Sequence, residues 1–363
     1  MRPVLLAAAL SLALASLPGC AAPPPIRVDT AAGTVRGADR LEVVRVASRL
    51  DTFHREVRRR LPRSRDEHLE VWIEERLDAR AFGAAPEGME GFVDRSRRRI
   101  HLRSGGECIE QTLAHELVHA LLDGSWAGLP AVIEEGLCEF LAAEIAGGCA
   151  VEQRRSGLLA AALYLGDVSA EVLLVHAPRS GPEVSATVPA RFERAGAPAL
   201  APMAALELAS SRAPDPAVAA QLEPGHYGLG MWLVERIAGR VGLQGLHALV
   251  REAAAEGLDR VPSDRLVALA DAGPPEGWQR RVLGTFDEED LIRLVGENRR
   301  GVLDAAAGWL AGTAAPEMAA DDVIARSRVV FRFDPAGPQA SLLDAESFRG
   351  ELRWELERRR GDR

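Results

Sequence analysis

Lysine is absent from the 363 residues, and all 44 basic side chains are arginine. We read this as a codon-composition bias, in keeping with the abundance of alanine, glycine and proline, and attach no function to it. Aromatic residues make up only 5%, with two tyrosines, Tyr164 and Tyr227. A basic surplus is lacking as well. The formal net charge is -9, which argues against nonspecific nucleic-acid binding, since that needs a basic surface. No internal repeat is visible, and beyond the N-terminus no run is long and apolar enough for a transmembrane helix. What is present is 47% apolar and 27% charged, the balance of a globular chain rather than a disordered one. The length allows one large domain, or a domain with an appendage, each with its own core.

The first twenty residues stand apart. Arg2 supplies a positive start, Val4 to Leu17 is an apolar run of about fourteen residues, and Leu17-Pro18-Gly19-Cys20 closes it. This ending resembles a bacterial lipobox, although Pro18 is unusual at its place. The resemblance implies a signal peptide over 1–20, a lipid on Cys20 and attachment to the bacterial envelope. An ordinary cleaved signal with an incidental cysteine is the other reading. Ala21, rather than Asp, after the lipid-bearing cysteine implies the outer membrane in a Gram-negative host. Three successive prolines follow, so we read 21–37 as an extended tether. Without Cys20 the chain keeps Cys108, Cys138 and Cys149, an odd number that permits at most one disulfide. Cys138 with Cys149 is one possible pair; three buried thiols is the alternative.

Apolar residues at three- and four-residue steps predict a helix over 38–61, through Leu41, Val44, Ala47, Leu50, Phe53, Val57 and Leu61. Leu69 to Ile73 is a strand candidate. Phe92-Val93 and Ile100 to Leu102 are two short strands around a polar turn. Helices are expected over 108–122 and 131–146, the second stopped by Gly147-Gly148. From 155 to 223 the signal is weak and fits short helices or a lid. Helical periodicity returns over 227–254. Beyond Pro274-Pro275 come helical pieces, a strand near Val329 to Phe333 and a charged last helix. We therefore expect a main α+β domain over 38–275 and a mostly helical accessory region over 276–363.

The chemistry is concentrated in Leu113-Ala114-His115-Glu116-Leu117-Val118-His119. In this H-E-x-x-H pattern the two histidines lie about 40° apart around a helix and share a face, so both rings can reach one Zn²⁺. Glu116 lies beside that face, placed to take a proton as general base. Ile109, Leu113, Leu117 and Leu121 form an apolar stripe on the opposite side. A catalytic zinc site has three protein ligands and an open position. Pro130 to Phe140 reads P-A-V-I-E-E-G-L-C-E-F, in which Glu135 and Glu139 share a face. Glu135 is assigned as the third ligand, with Glu134 the less favoured alternative. Glu139 is assigned as the carboxylate that accepts a hydrogen bond from the outer nitrogen of a ligating histidine. Gly136 and the small residues nearby are expected to let this helix approach the first one closely.

These two segments resemble the gluzincin clan of thermolysin-like zinc metallopeptidases, with specific motifs over about 108–142 and a looser likeness over about 40–254. The resemblance implies a thermolysin-like fold with a small mixed sheet and an active-site helix. It implies one zinc per chain, peptide or protein substrates and peptide-bond hydrolysis. It also implies that the strand near Ile100 to Leu102 pairs with an extended substrate. A Tyr or His in this clan donates to the developing oxyanion, which nominates Tyr227, with His226 as alternate. Cys138 departs from the pattern, where alanine is common. No aminopeptidase-type signature is present, which favours endopeptidase action. His54, His68, His176 and His247 are read as surface or structural, and His101 as a possible cleft residue. Two further readings stand beside the peptidase: an envelope lipoprotein that keeps the metal site as a binding or structural module without turnover, and a hydrolase acting on another amide.

Overall fold

The computed structural model describes residues 25–77, 89–192, 224–297, 299–333 and 339–361. The signal segment, Cys20 and the start of the tether lie outside them. So does 193–223, the second half of the weakly patterned stretch. Among the described residues no helix is long and apolar enough to cross a membrane.

Helix α1 (Arg40–Arg60) begins where the Asp39 side chain caps the backbone N–H groups of Leu41 and Glu42. It buries Val43, Val46, Leu50, Phe53 and Val57, whereas Leu41 and Val44 are exposed. The expected apolar stripe was therefore out of phase in the first turn. Val43 and Val44 are adjacent, so both phases are present in the sequence, and Val46 and Leu50 decide between them.

The first sheet has five strands in the order β1-β2-β3-β5-β4. They are β1 (Ile26–Asp29), β2 (Gly33–Gly37), β3 (Leu69–Glu74), β4 (Gly91–Asp94) and β5 (Arg99–Arg103). The expected tether over 21–37 is corrected here, because 26–37 is a β-hairpin. Val28 pairs with Val35, and Val35 is fully buried in a row with Val71 and Ile100. The alternation was there to be read, but the preceding prolines masked it. Period two puts Arg36, Trp72, His101 and Phe92 on the other face. There the Arg99 and Arg36 guanidinium groups cover the Trp72 ring, and His101 stacks on Phe92. His101 thus lies on the face opposite the core rather than with Ile100 and Leu102.

A second correction concerns β5. It is hydrogen-bonded to β3 on one side and β4 on the other, so it offers no free edge to a substrate. Among the described residues β4 is the outer strand on that side, and β1 on the other.

Helix α2 (Ile109–Leu121) and helix α3 (Ala131–Ala146) carry the two motifs. Ile109, Leu113, Leu117 and Leu121 are buried in the core, as the stripe predicted. Helix α5 (Pro224–Ala255, interrupted at Gly242) crosses α3 with almost no side chain between them. A methyl group on Gly136 would run into the Gly230 backbone, and one on Gly230 into the Val132 carbonyl. The close approach that Gly136 permits is therefore to α5, not to α2 as expected.

Helix α4 (Cys149–Tyr164) follows α3, and then comes a long hairpin, β6 (Val168–His176) and β7 (Val184–Phe192). The stretch from 155 thus holds a helix and two strands where short helices or a lid were expected. The weak signal has a cause: β7 reads V-S-A-T-V-P-A-R-F, an alternation diluted by two small alanines and broken in composition by Pro189, on a strand that is mostly exposed. The second sheet runs β7-β6-β8-β9, with β8 (Ser327–Arg332) and β9 (Gln339–Ser341) from the C-terminal region. Leu174 pairs with Val329 and Val172 with Phe331. The Pro274-Pro275 boundary therefore does not separate two independent cores; the last ninety residues complete a sheet begun at 168.

Cys108 pairs with Cys149, not Cys138 with Cys149, and Cys138 is a buried free thiol. Cys108 sits at the start of α2 and Cys149 at the start of α4, with Cα atoms 5.6 Å apart. Cys138 lies in the middle of α3, facing inward, out of reach of that pair. The cross-link spans a sequence separation of 41 residues. By the chain-entropy account a loop of that size contributes about 4 kcal/mol. A Cys108→Ser, Cys149→Ser double variant should lose roughly 2–4 kcal/mol in a denaturant titration under non-reducing conditions. An unchanged midpoint would show the cross-link to be dispensable.

Candidate metal centre

The α2 and α3 helices bring together the side chains that the sequence singled out. The His115 and His119 rings stand 5.0 Å apart at 62°. Glu135 Oε2 lies 3.2 Å from His115 Nε2 and 3.4 Å from His119 Nε2, so one carboxylate oxygen meets the inner nitrogens of both rings. Each outer nitrogen has its own carboxylate. His115 Nδ1 is 3.2 Å from Glu139 Oε1, and His119 Nδ1 is 2.9 Å from Glu134 Oε1. Glu134 was weighed only as an alternative ligand. It is turned to the outer nitrogen of His119 instead, which fixes the ring's tautomer and direction.

Glu134 is itself held from the sheet. The Arg95 Nη2 group donates to Glu134 Oε1 at 2.9 Å and to the His119 carbonyl at 3.0 Å. Arg95 occupies the turn between β4 and β5, where the Asp94 carboxylate accepts from Ser96 and Arg97. The sequence could not single it out. Arg95, Arg97, Arg98 and Arg99 crowd the same turn, and spacing alone does not say which one turns inward. Gly91 was also missed. A methyl group there would sit 3.1 Å from Glu116 Cγ and 2.7 Å from Thr112 Cγ2. Its bare backbone is what lets β4 lie directly against the helix beside Glu116.

His115, His119 and Cys138 form a cluster able to hold a metal ion. One ring nitrogen from each histidine and the Cys138 Sγ all lie within 4.8 Å of one another. Imidazole, carboxylate and thiol together are the donor types that zinc accepts, so the residues present fit such an ion.

Electrostatics bind the cluster together. Burial alone would lower the pKa of both histidines. Glu139 and Glu135 outweigh it at His115, and Cys138 and Glu135 outweigh it at His119, so both stand well above the ordinary value of 6.5. Burial opposes ionisation of Glu135, but the two imidazoles prevail and drive its carboxyl far below the usual carboxylate range. Glu116 is raised by burial, against the pull of His115 and His119.

Tyr227 stands near the start of α5, half-buried. Burial first, and then the charge of Glu135, raise its phenol above the ordinary value of 10.0; His119, Glu116 and Glu139 act on it as well. Its hydroxyl therefore stays protonated beside the cluster. His226 packs its ring on Tyr164, with centroids 4.6 Å apart.

The family models searched and the curated proteins compared give no match to this chain.

A metal must displace the protons that these histidines hold. Because both imidazoles are held above 6.5, apparent metal affinity should keep rising with pH beyond the value at which an ordinary histidine has lost its proton. Chelator-competition titrations at about pH 6, 7 and 8 check this, each ordinary proton displaced giving up to about tenfold per pH unit. A flat profile above pH 6.5 would contradict the arrangement.

Proposed function

We propose that this chain is a zinc-dependent peptidase of the thermolysin-like, gluzincin type. The observation that carries the reading is the convergence of both inner histidine nitrogens on Glu135 Oε2, with buried Glu116 on the same helix between them in sequence. Two imidazoles and a carboxylate are the ligand set of such catalytic zinc sites. The five-stranded mixed sheet and the packing of α2 against α3 are in keeping with that fold.

When bound, zinc supplies Lewis acidity toward a carbonyl and lowers the pKa of water. The rest falls to the chain. His115, His119 and Glu135 would hold the ion, and Glu139 and Glu134 orient the two rings through their outer nitrogens. Glu116 accepts a proton from water and returns it to the leaving amine. Its upward-shifted carboxyl suits a base that must also release the proton. Tyr227, kept protonated, donates its hydroxyl to the oxygen on which negative charge develops. An extended peptide would pair along β4, an outer strand, whose Gly91 end abuts Glu116. The same proposal sets the chain outside the cytosol, lipid-anchored through Cys20 to the envelope. The Cys108–Cys149 bond supports an oxidising compartment.

Three measurements test this. The purified chain should hold about one zinc, lost in His115→Ala. Glu116→Gln should keep the metal and lower kcat on a peptide substrate by roughly 10²–10⁴-fold; survival of activity would remove Glu116 as the base. Tyr227→Phe should lower kcat by about 10²-fold or more with little change in KM, and an unchanged kcat would take Tyr227 out of the mechanism.

A further inference from the structure

The reading above leaves one donor of the cluster without a role. Cys138 stands three residues after Glu135 on α3, is fully buried and lies outside the disulfide. A thiol that serves only as a small hydrophobe is surrounded by apolar atoms. This one lies instead against two imidazoles. With one nitrogen from each of His115 and His119 it makes three donor atoms that all lie within 4.8 Å of one another. Donors on a tetrahedral zinc stand about 3.3–3.6 Å apart for bonds to nitrogen and sulfur. Ligation would draw the three atoms in from the 4.8 Å within which they lie.

We infer that Cys138 is itself a ligand of the metal, its sulfur joining His115, His119 and Glu135 in a four-donor set. Ligation breaks the S–H bond and forms a metal–sulfur bond; the proton leaves to solvent and no electron is transferred. Four protein donors leave no open position. The resting centre is then closed by sulfur, and water gains access only where the thiolate gives way. The inference rests on the metal site of the proposed function but not on turnover, so it is tested without an activity assay.

The experiment is optical spectroscopy of the full chain, disulfide intact, stripped of metal and titrated with Co²⁺. Wild type should show a near-ultraviolet sulfur-to-cobalt charge-transfer band that saturates at about one equivalent, together with the intense visible bands of a four-coordinate ion. Cys138→Ser, which keeps size and shape, should bind Co²⁺ and lose the ultraviolet band. Stoichiometric binding that depends on His115 but shows no sulfur band would overturn the inference and leave the metal reading standing. A band that survives Cys138→Ser would assign the sulfur elsewhere and overturn it too. If Co²⁺ does not bind at all, the metal site fails, and the inference fails with it.

Discussion

Two imidazoles and four carboxylates are packed into one nearly dry space between α2, α3 and β4, and the rest of the architecture answers to that constraint. Unmatched charge in such a place costs several kcal/mol per group. The matching is specific here: Glu135 serves both inner nitrogens, Glu139 and Glu134 each take one outer nitrogen, and Arg95 reaches in from the sheet to hold Glu134. The cluster is therefore held by three separate elements. Within this space His115, His119 and Cys138 form a cluster able to hold a metal ion.

The supports lie well outside the motifs. The Gly136–Gly230 crossing lets α5 press on α3, which brings the start of α5, and with it Tyr227, within the field of Glu135. The bare Gly91 does the same for β4 and Glu116. The cross-link at the head of α2 ties that helix to the one that follows α3, so the two helices that carry the cluster lie within one covalent loop. Each device removes a degree of freedom that would otherwise blur the donor geometry, and positional precision is what such sites require.

Much of this was legible in the residues, and what was not has physical reasons. The α+β character followed from periods of 3.6 and 2, and α2, α3, β3 and β5 fall within a residue or so of their expected limits. Four-residue spacing alone set His115 with His119 and Glu135 with Glu139, and the structure brings those four side chains together. Contacts between elements distant in sequence were out of reach. Nothing local marks Arg95 among its neighbours, or says that Gly136 faces α5. The pairing of Cys108 with Cys149 depends on where two helix starts meet, so spacing could not choose it. The hairpin of β6 and β7 was hidden because its outer strand is mostly exposed and its alternation is carried partly by alanines around Pro189.

The pairing of β6 with β8 has a consequence for how the chain is made. Residues 171–176 take their hydrogen-bond partners from 327–332, more than 150 positions later. Until the ribosome has passed Arg332, β6 presents one open row of backbone donors and acceptors, along a strand that carries Val172, Leu174 and Val175. A nascent or truncated polypeptide thus displays a sticky edge that the finished one conceals. This favours keeping the chain unfolded until synthesis is complete, and it makes a frameshift or premature stop before Ser327 a source of aggregates rather than of a merely shortened protein.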